Sequence, residues 1–285
     1  MTPRGGRRAI GHPMTGIIAG LALAYLGLIG VMYVAQRSLM YHPGGAEGGP
    51  ADNGVAEMRA VHLKTADGLT VESWVSAPQP GRPTLVFLQG NAGSIHDRGW
   101  KVRPYIDHGY GVMLVGYRGY GGNPGKPSED GLYADAAAAL AHLEGEGRPA
   151  ASWVLYGESL GTGIAVELAK RQAAAGAPAG AVILEAPFTA MGDAAQRHYP
   201  YLPAKLLVRD RYDSVTKIAA IAAPLLIFHG DQDRVVPFKL GKRLFEAARE
   251  PKQGHWIAGA HHGNLYEFGA AGRVIDFVDQ AIAPR

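Results

Sequence analysis

Short apolar runs alternate with longer stretches of mixed polarity along most of the chain after residue 57. Several of these runs are continuously apolar and end in glycine, which is typical of strands buried on both faces of a parallel sheet. The longer stretches between them are predicted helices. Strands that alternate with helices predict an α/β domain with a mainly parallel sheet and helices on both of its faces.

The predicted elements follow one another without an internal repeat or a second domain. Strands are predicted over 58–66 and 69–76, joined by a turn at Asp67-Gly68, and then over 84–90, 110–117, 152–157, 180–187, 224–230 and near 254–259. Helices are predicted over 128–146, 160–175 and 238–249, with a last helix ending near Ala283. Residues 187–223 form the longest interruption and predict a small helical cap.

An uncharged stretch over residues 14–35 precedes this domain. Its length as a helix is roughly 33 Å, enough to cross a bilayer core. We predict a single membrane anchor over 14–36, with a cleaved signal peptide as the alternative. The arginines in the basic flank 1–13 predict a cytoplasmic N-terminus and a body outside the membrane, in the periplasm of a bacterium. Residues 37–56 are predicted to be a linker and 57–285 the domain.

Charge and cysteine content exclude several function classes. The chain has 28 basic and 25 acidic residues, and Arg4, Arg7 and Arg8 account for the whole excess. The body is therefore neutral, which argues against nucleic acid as a partner. The absence of cysteine excludes disulfides, thiolate catalysis and cysteine-ligated metals. The sequence does not indicate an oligomeric state.

Ser159 lies in the pattern Gly157-Glu158-Ser159-Leu160-Gly161, directly after a predicted strand and at the start of a predicted helix. This is G-x-S-x-G in the strand–turn–helix context of a nucleophile elbow. Side chains at the two flanking glycine positions would collide with the strand and the helix, so glycine leaves the serine hydroxyl exposed. The pattern predicts Ser159 as a nucleophile.

A serine hydroxyl becomes a nucleophile when a histidine takes its proton and an acid holds that histidine in one tautomer. In this type of fold the chain order is serine, acid, histidine. The segment HGDQDRVVP, residues 229–237, supplies an acid just past a buried strand. The segment GAHHGNLY, residues 259–266, supplies a histidine between the last strand and the last helix.

These motifs, together with FLQGNAGS, GYRGYGGNPGKPSEDG and LEAPF, resemble those of the α/β-hydrolase superfamily. The resemblance covers residues 37 to about 280. More narrowly, the chain resembles N-terminally anchored serine hydrolases of the depalmitoylase and lysophospholipase type, which share a serine aminopeptidase-like domain. It implies an eight-stranded sheet, with Asp233 as the acid and Asp231 as a turn residue. It also implies His262 rather than His261 as the base. Glu185 is the alternative acid, because it lies at the end of the predicted strand that precedes the strand leading to Asp233.

The resemblance also implies an oxyanion hole formed by the backbone N–H groups of Leu160 and Asn91. Relatives commonly have histidine-glycine where this chain has Gln89-Gly90, so Gln89 is a candidate pocket residue. Arg118 and Tyr120 lie in the glycine-rich loop that borders the site in relatives. They either line the pocket or form structural hydrogen bonds.

We expect no metal and no cofactor, although His229, Asp231 and Asp233 alternate as metal ligands can. The glycine-rich loop departs from the phosphate-binding pattern, because Pro127 replaces its Ser/Thr. The sequence predicts a membrane-anchored serine hydrolase that cleaves an ester or thioester of a small-molecule or lipid acyl substrate. An aminopeptidase of the same fold and a non-enzymatic binding protein are the alternatives.

Overall fold

The computed structural model describes residues 13–282. The three N-terminal arginines lie outside the described residues, and so does Ala283, where the last helix was predicted to end. Within the described part, the alternation of strands and helices produces one large sheet with helices on both faces, as the sequence predicts.

The main sheet has eight strands: β1 (Arg59–Lys64), β2 (Thr70–Ser76), β3 (Thr84–Leu88), β4 (Gly111–Leu114), β5 (Trp153–Glu158), β6 (Ala181–Glu185), β7 (Leu225–Gly230) and β8 (Lys252–Ile257). Their spatial order is β1-β2-β4-β3-β5-β6-β7-β8. β2 pairs antiparallel with both β1 and β4, and all other neighbours are parallel. The carboxyl ends of β3, β5, β6 and β7 therefore meet at one edge of the sheet, where sites form in such folds.

The helices in the described residues are α1 (Pro13–Met40), α2 (Gly99–Asp107), α3 (Glu129–Gly145), α4 (Leu160–Ala174), α5 (Met191–His198), α6 (Ala204–Leu207), α7 (Phe238–Ala247) and α8 (Ala270–Ala281). Single 3₁₀ turns occur at Ile95–Asp97, Ala150–Ser152, Ile218–Ala220 and Leu265–Phe268. The core is divided by the sheet into two apolar clusters. One contains side chains of α3, α4 and α7, and the other contains side chains of α2 and α8.

Helix α2 was not predicted from the sequence. It is short, contains Pro104, and follows a loop rich in glycine and polar residues, so its local signal is weak. Val102 and Tyr105 are both fully buried, and tertiary packing therefore accounts for a helix that propensity alone does not. The predicted small cap contains α5, α6 and the 3₁₀ turn Ile218–Ala220.

Helix α1 is long and apolar enough to cross a membrane. Its residues 14–28 are all exposed, whereas its last turns pack against the cap. Arg37 forms a two-bond ion pair with buried Asp210, with Nε–Oδ2 and Nη2–Oδ1 distances of 2.8 Å each. Tyr41, which is also buried, donates its hydroxyl hydrogen to the same carboxylate at 3.0 Å. The C-terminal end of α1 is thereby fixed to the cap.

The chain after α1 stays close to the domain. Residues 42–43 pair in parallel with residues 92–93, in the loop that follows β3. Val55, within the segment predicted as a linker, is fully buried. The loop after β3 is thus held from one side by the segment that leaves α1.

Candidate active site

Ser159 lies in the turn between β5 and α4, at the carboxyl edge of the sheet. Its φ of 50° and ψ of −112° are strained for a residue with a side chain, and a strained serine is characteristic of a nucleophile elbow. The turn is held by hydrogen bonds from Ser159 N to Glu185 O at 2.9 Å and from Thr162 Oγ1 to Ser159 O at 2.6 Å. The backbone that carries the hydroxyl is thus fixed beside the start of α4.

The two glycines of the motif permit a close approach of backbone segments. A Cβ on Gly161 would collide with the carbonyl group of Leu88, 2.6 Å from its carbon, and would lie 2.8 Å from Gln89 O. A Cβ on Gly157 would lie 2.5 Å from Gly161 O. Since these obstacles are backbone atoms of β3, its following loop and α4, they cannot turn aside as a flexible side chain can. Glycine at both positions lets the elbow pack against β3.

We expect Gly161→Ala to lower the free energy of unfolding by about 3 kcal/mol or more, because backbone would have to move to relieve the overlap. Urea unfolding of the full chain in detergent measures this loss. Gly145→Ala is the matched control, since a Cβ there meets nothing within 4 Å, and we expect it to be neutral or stabilising by about 0.5–1 kcal/mol. Equal unfolding midpoints for the two variants would contradict the assigned packing role.

His262 connects Ser159 to Asp233. His262 Nε2 lies 3.0 Å from Ser159 Oγ, and His262 Nδ1 lies 2.7 Å from Asp233 Oδ2. A carboxylate only accepts, so Nδ1 carries a hydrogen and donates it to Asp233. In the neutral ring Nε2 then accepts the hydroxyl hydrogen of Ser159. This tautomer can remove a proton from the serine.

Asp233 accepts four hydrogen bonds. Its Oδ2 also lies 3.1 Å from His229 Nε2, and its Oδ1 accepts from the backbone N–H groups of Val235 and Val236 at 2.8 Å each. Burial raises the pKa of this carboxyl, but the hydrogen bonds from His229 and His262 outweigh that effect, and the pKa lies below its usual range. Asp233 is therefore held as a charged acceptor in a fixed orientation.

His229 also belongs to this cluster, a role that was not predicted from the sequence. It is fully buried at the end of β7, and Gly241 leaves room for it, because a Cβ there would clash with its ring. Its Nε2 is also 3.1 Å from Val236 O. Since both neighbours of Nε2 are acceptors, His229 donates there. Its position four residues before Asp233 was the available signal, although in sequence it also fitted a metal-ligand pattern.

The rival residues make other contacts. His261 Nδ1 lies 3.1 Å from Gln232 O, and Asp231 Oδ1 accepts from Gly259 N at 2.9 Å, so both hold the loops around the site. Glu185 accepts from Lys101 Nζ at 2.8 Å and from Tyr156 Oη at 2.6 Å. The structure thus brings Ser159, His262 and Asp233 together and directs these three alternatives to other partners.

A buried charge cluster adjoins the elbow through Glu158, and it was not predicted from the sequence. Lys101, on the unpredicted helix α2, donates to Glu158 and Glu185 at 2.8 Å each. Glu158 also accepts from Arg98 Nε at 3.1 Å. Burial raises the pKa of Glu158, and the attraction of Lys101 and Arg98 more than reverses this, leaving the pKa below its usual range. The residues beside Ser159 are therefore held in place by paired charges.

A cavity of about 310 Å³ opens at Ser159. Leu160 and Asn91, whose backbone N–H groups are the predicted oxyanion donors, both line it. Asn91 is fixed on two sides, because its Nδ2 donates to Met40 O at 2.8 Å and its carbonyl accepts from Tyr120 Oη at 2.9 Å. The loop after β3 is thus tied to the last residue of α1.

The candidate pocket residues Gln89, Arg118 and Tyr120 are not among the described residues that line this cavity. Arg118 is buried and pairs with Asp135 and Asp67 at 2.8 and 2.6 Å. Tyr120 holds Asn91, as described above. Gln89 is buried, and neither polar atom of its side chain has a partner among the described residues. Arg118 and Tyr120 thus form structural contacts, one of the two roles expected for them.

Comparison with known proteins identifies the family. Residues 102–211 match the family described as serine aminopeptidase, S33. An uncharacterized protein of Mycobacterium tuberculosis is 37% identical over 254 residues, covering 87% of this chain and 88% of that protein. Human alpha/beta hydrolase domain-containing protein 17B is 36% identical, covering 70% of this chain and 67% of that protein. The chain belongs to the α/β-hydrolase superfamily. It is accordingly an enzyme of the hydrolase type.

Two further comparisons are with a relative named as a lipase and with a solved structure. The lysophosphatidylserine lipase ABHD12 of Danio rerio is 31% identical, covering 73% of this chain and 64% of its own length. A solved esterase of Pyrococcus furiosus superposes with a TM-score of 0.66 at 19% identity, covering 86% of this chain and 98% of that structure. At that identity the structural likeness establishes the α/β-hydrolase fold alone.

Proposed function

We propose that this protein is a serine hydrolase that cleaves carboxylic esters or thioesters, with Ser159, His262 and Asp233 as its catalytic residues. The observation that carries the proposal is the hydrogen-bonded series from Ser159 Oγ through His262 to Asp233, at 3.0 and 2.7 Å. An alcohol that lines a cavity and lies in a strained elbow, a base in the required tautomer and a charged acid together meet the needs of acyl transfer.

In the proposed reaction, His262 Nε2 removes the Ser159 proton while Oγ attacks the carbonyl carbon of the substrate. The Leu160 and Asn91 N–H groups donate to the oxyanion of the tetrahedral intermediate. His262 then protonates the departing alcohol or thiol, and an acyl-enzyme remains. Water, deprotonated by His262, attacks this ester and releases the acid, returning the proton to Ser159.

The cavity supports an acyl substrate. Its lining beyond Ser159 is dominated by aliphatic and aromatic residues such as Leu160, Phe188 and Leu202. Such a surface accepts a hydrocarbon chain by excluding water from it. The zebrafish relative named as a lipase for lysophosphatidylserine supports a lipid ester among the substrates.

The aminopeptidase alternative has less support. A free substrate amine needs a carboxylate near the nucleophile, and within the described part of the chain none of the residues that line the cavity is Asp or Glu. The non-enzymatic alternative predicts an unreactive Ser159, and the labelling experiment below tests it directly.

We expect a fluorophosphonate probe to label the full-length protein in detergent at Ser159, because the probe reacts with serines that a base activates. Labelling, read by gel fluorescence and peptide mass, is expected to disappear in Ser159→Ala and His262→Ala. Ser94→Ala is the matched control, since buried Ser94 also lies 3.1 Å from a histidine nitrogen, that of His96, and should remain labelled. A folded wild type that does not react would favour the binding-protein alternative.

We further propose that residues 14–36 anchor the protein in a membrane as a single span. The basic flank 1–13 would then remain cytoplasmic, with the domain 57–285 on the outer side of the membrane and 37–56 connecting the two. The length and apolar character of α1 support the anchor. The excess of arginine before α1 supports the orientation.

A further inference from the structure

Helix α1 forms one wall of the cavity that contains Ser159. Five of its residues, Met32, Tyr33, Gln36, Leu39 and Met40, line that cavity. The opposite wall comes from the cap, including Leu202, Leu207 and Val208. Gln36 joins the walls, because its Nε2 donates to Leu207 O at 3.3 Å and its Oε1 accepts from Arg209 N at 2.7 Å. The predicted membrane anchor is thus also part of the substrate site.

The cap reaches far along α1. Tyr25 Oη donates to Tyr201 O at 2.8 Å, so α1 already contacts the cap at Tyr25. The helix before that contact, residues 14–24, is about 16 Å long, roughly half of the ~30 Å hydrocarbon core of a bilayer. A span that starts at residue 14 must therefore continue to about residue 33, beside the cap. The part of the cap that contacts α1 between residues 25 and 33 would then lie within the membrane leaflet nearest the domain.

The segment 199–208, which we call the cap tip, has a surface suited to that environment. The apolar side chain of Leu206 is 84% exposed, and the aromatic side chain of Tyr201 is 60% exposed. Leu206 is followed directly by two residues that line the cavity. The guanidinium of exposed Arg209 lies 5.8 Å from the ring centroid of Tyr33, and an aromatic–arginine pair is suited to the membrane–water boundary. This boundary coincides with the end of a 20-residue span from residue 14.

Lys205 is the one charged residue of the cap tip, and it does not oppose insertion. Lys205 is ion-paired with Asp193 at 2.7 Å, and a lysine near a boundary extends its ammonium toward water.

We propose that the cap tip inserts into the leaflet and that the acyl chain of a membrane ester lipid passes from that leaflet into the cavity between α1 and the cap. This inference rests on the proposed function and the proposed anchor, and it extends them by naming the source of the substrate. The ester group would reach Ser159 while the chain stays between apolar walls. A lipid would then not have to cross water to reach the nucleophile.

Depth measurement tests the insertion without using activity. Because the chain has no cysteine, Leu206→Cys gives a unique attachment point for an NBD fluorophore. Glu144→Cys is the control, on an exposed residue near the end of α3, which leads to the sheet edge opposite Ser159. In vesicles of phosphatidylcholine with doxyl-labelled phosphatidylcholine, we expect the doxyl groups to quench NBD emission at position 206. We expect no quenching at position 144. Equal emission at both positions would overturn the insertion.

Activity in the same vesicles tests the route of the substrate. We expect Leu206→Asp to lose most hydrolysis of a long-chain fluorogenic ester embedded in the bilayer and to keep its hydrolysis of a short, water-soluble butyrate ester. Leu206→Met should retain both activities. If Leu206→Asp hydrolyses the embedded ester as fast as the wild type, lateral access is wrong while the serine hydrolase proposal stands. A wild type that hydrolyses neither ester and resists the fluorophosphonate would contradict the proposed function instead.

Discussion

Replacing His262 with alanine is expected to lower kcat for a soluble butyrate ester by about 10⁴-fold or more, and Ser159→Ala by a similar factor. The reason is geometric. His262 Nε2 lies 3.0 Å from Ser159 Oγ, and it is the base in line with that hydroxyl. Without it the alcohol keeps its proton near neutral pH, and no acyl-enzyme forms at a useful rate. Steady-state kinetics on the purified full-length variants measures the loss.

The combination of the two changes makes this result diagnostic. Residues that act as one unit give non-additive losses, so Ser159→Ala with His262→Ala should be no slower than either single variant. His261→Ala is the matched control, because this neighbouring histidine is exposed and contacts Gln232 O. We expect it to keep near wild-type kcat. A large loss from His261→Ala together with a small loss from His262→Ala would exchange the assigned roles.

The elbow was predictable because its requirements are local. A strand, a tight turn and a helix follow one another within a few residues, and Gly157 and Gly161 are needed where backbone segments nearly touch. Most strands were also predictable, because each is a continuous apolar run in the sequence. The proximity of Asp233 and His262 could be expected only from chain order and family resemblance, since they lie 29 positions apart and no local rule joins them.

Contacts between distant segments could not be predicted in this way. The pair Arg37–Asp210 joins residues 173 positions apart, and nothing in the sequence near either residue indicates the other. Lys101 was missed with its helix, because Pro104 weakens the helical signal and the stabilising packing is tertiary. The cavity wall formed by α1 was missed for a related reason. An apolar stretch predicts a membrane span, but the sequence does not reveal that its last turns face a serine.

Asp233→Asn is expected to lower kcat by about 10³–10⁴-fold, because the amide reverses the proton arrangement of His262. If the amide oxygen keeps the bonds from the N–H groups of Val235 and Val236, the NH₂ group must face His262 Nδ1. His262 then accepts at Nδ1 and carries its hydrogen on Nε2, where it can no longer accept from Ser159. The serine is present and correctly positioned, yet it has no base.

Glu185→Gln is the decisive comparison for this acid assignment. Glu185 is buried, but it accepts from Lys101 at Oε1 and from Tyr156 at Oε2. Its carboxamide form keeps an acceptor oxygen for Lys101, while its NH₂ group faces the Tyr156 hydroxyl, which can accept a hydrogen bond. Lys101 also retains Glu158 as a charged partner. We therefore expect Glu185→Gln to lose stability but to keep kcat within about tenfold in the folded protein. Turnover that survives Asp233→Asn and disappears in folded Glu185→Gln would make Glu185 the catalytic acid.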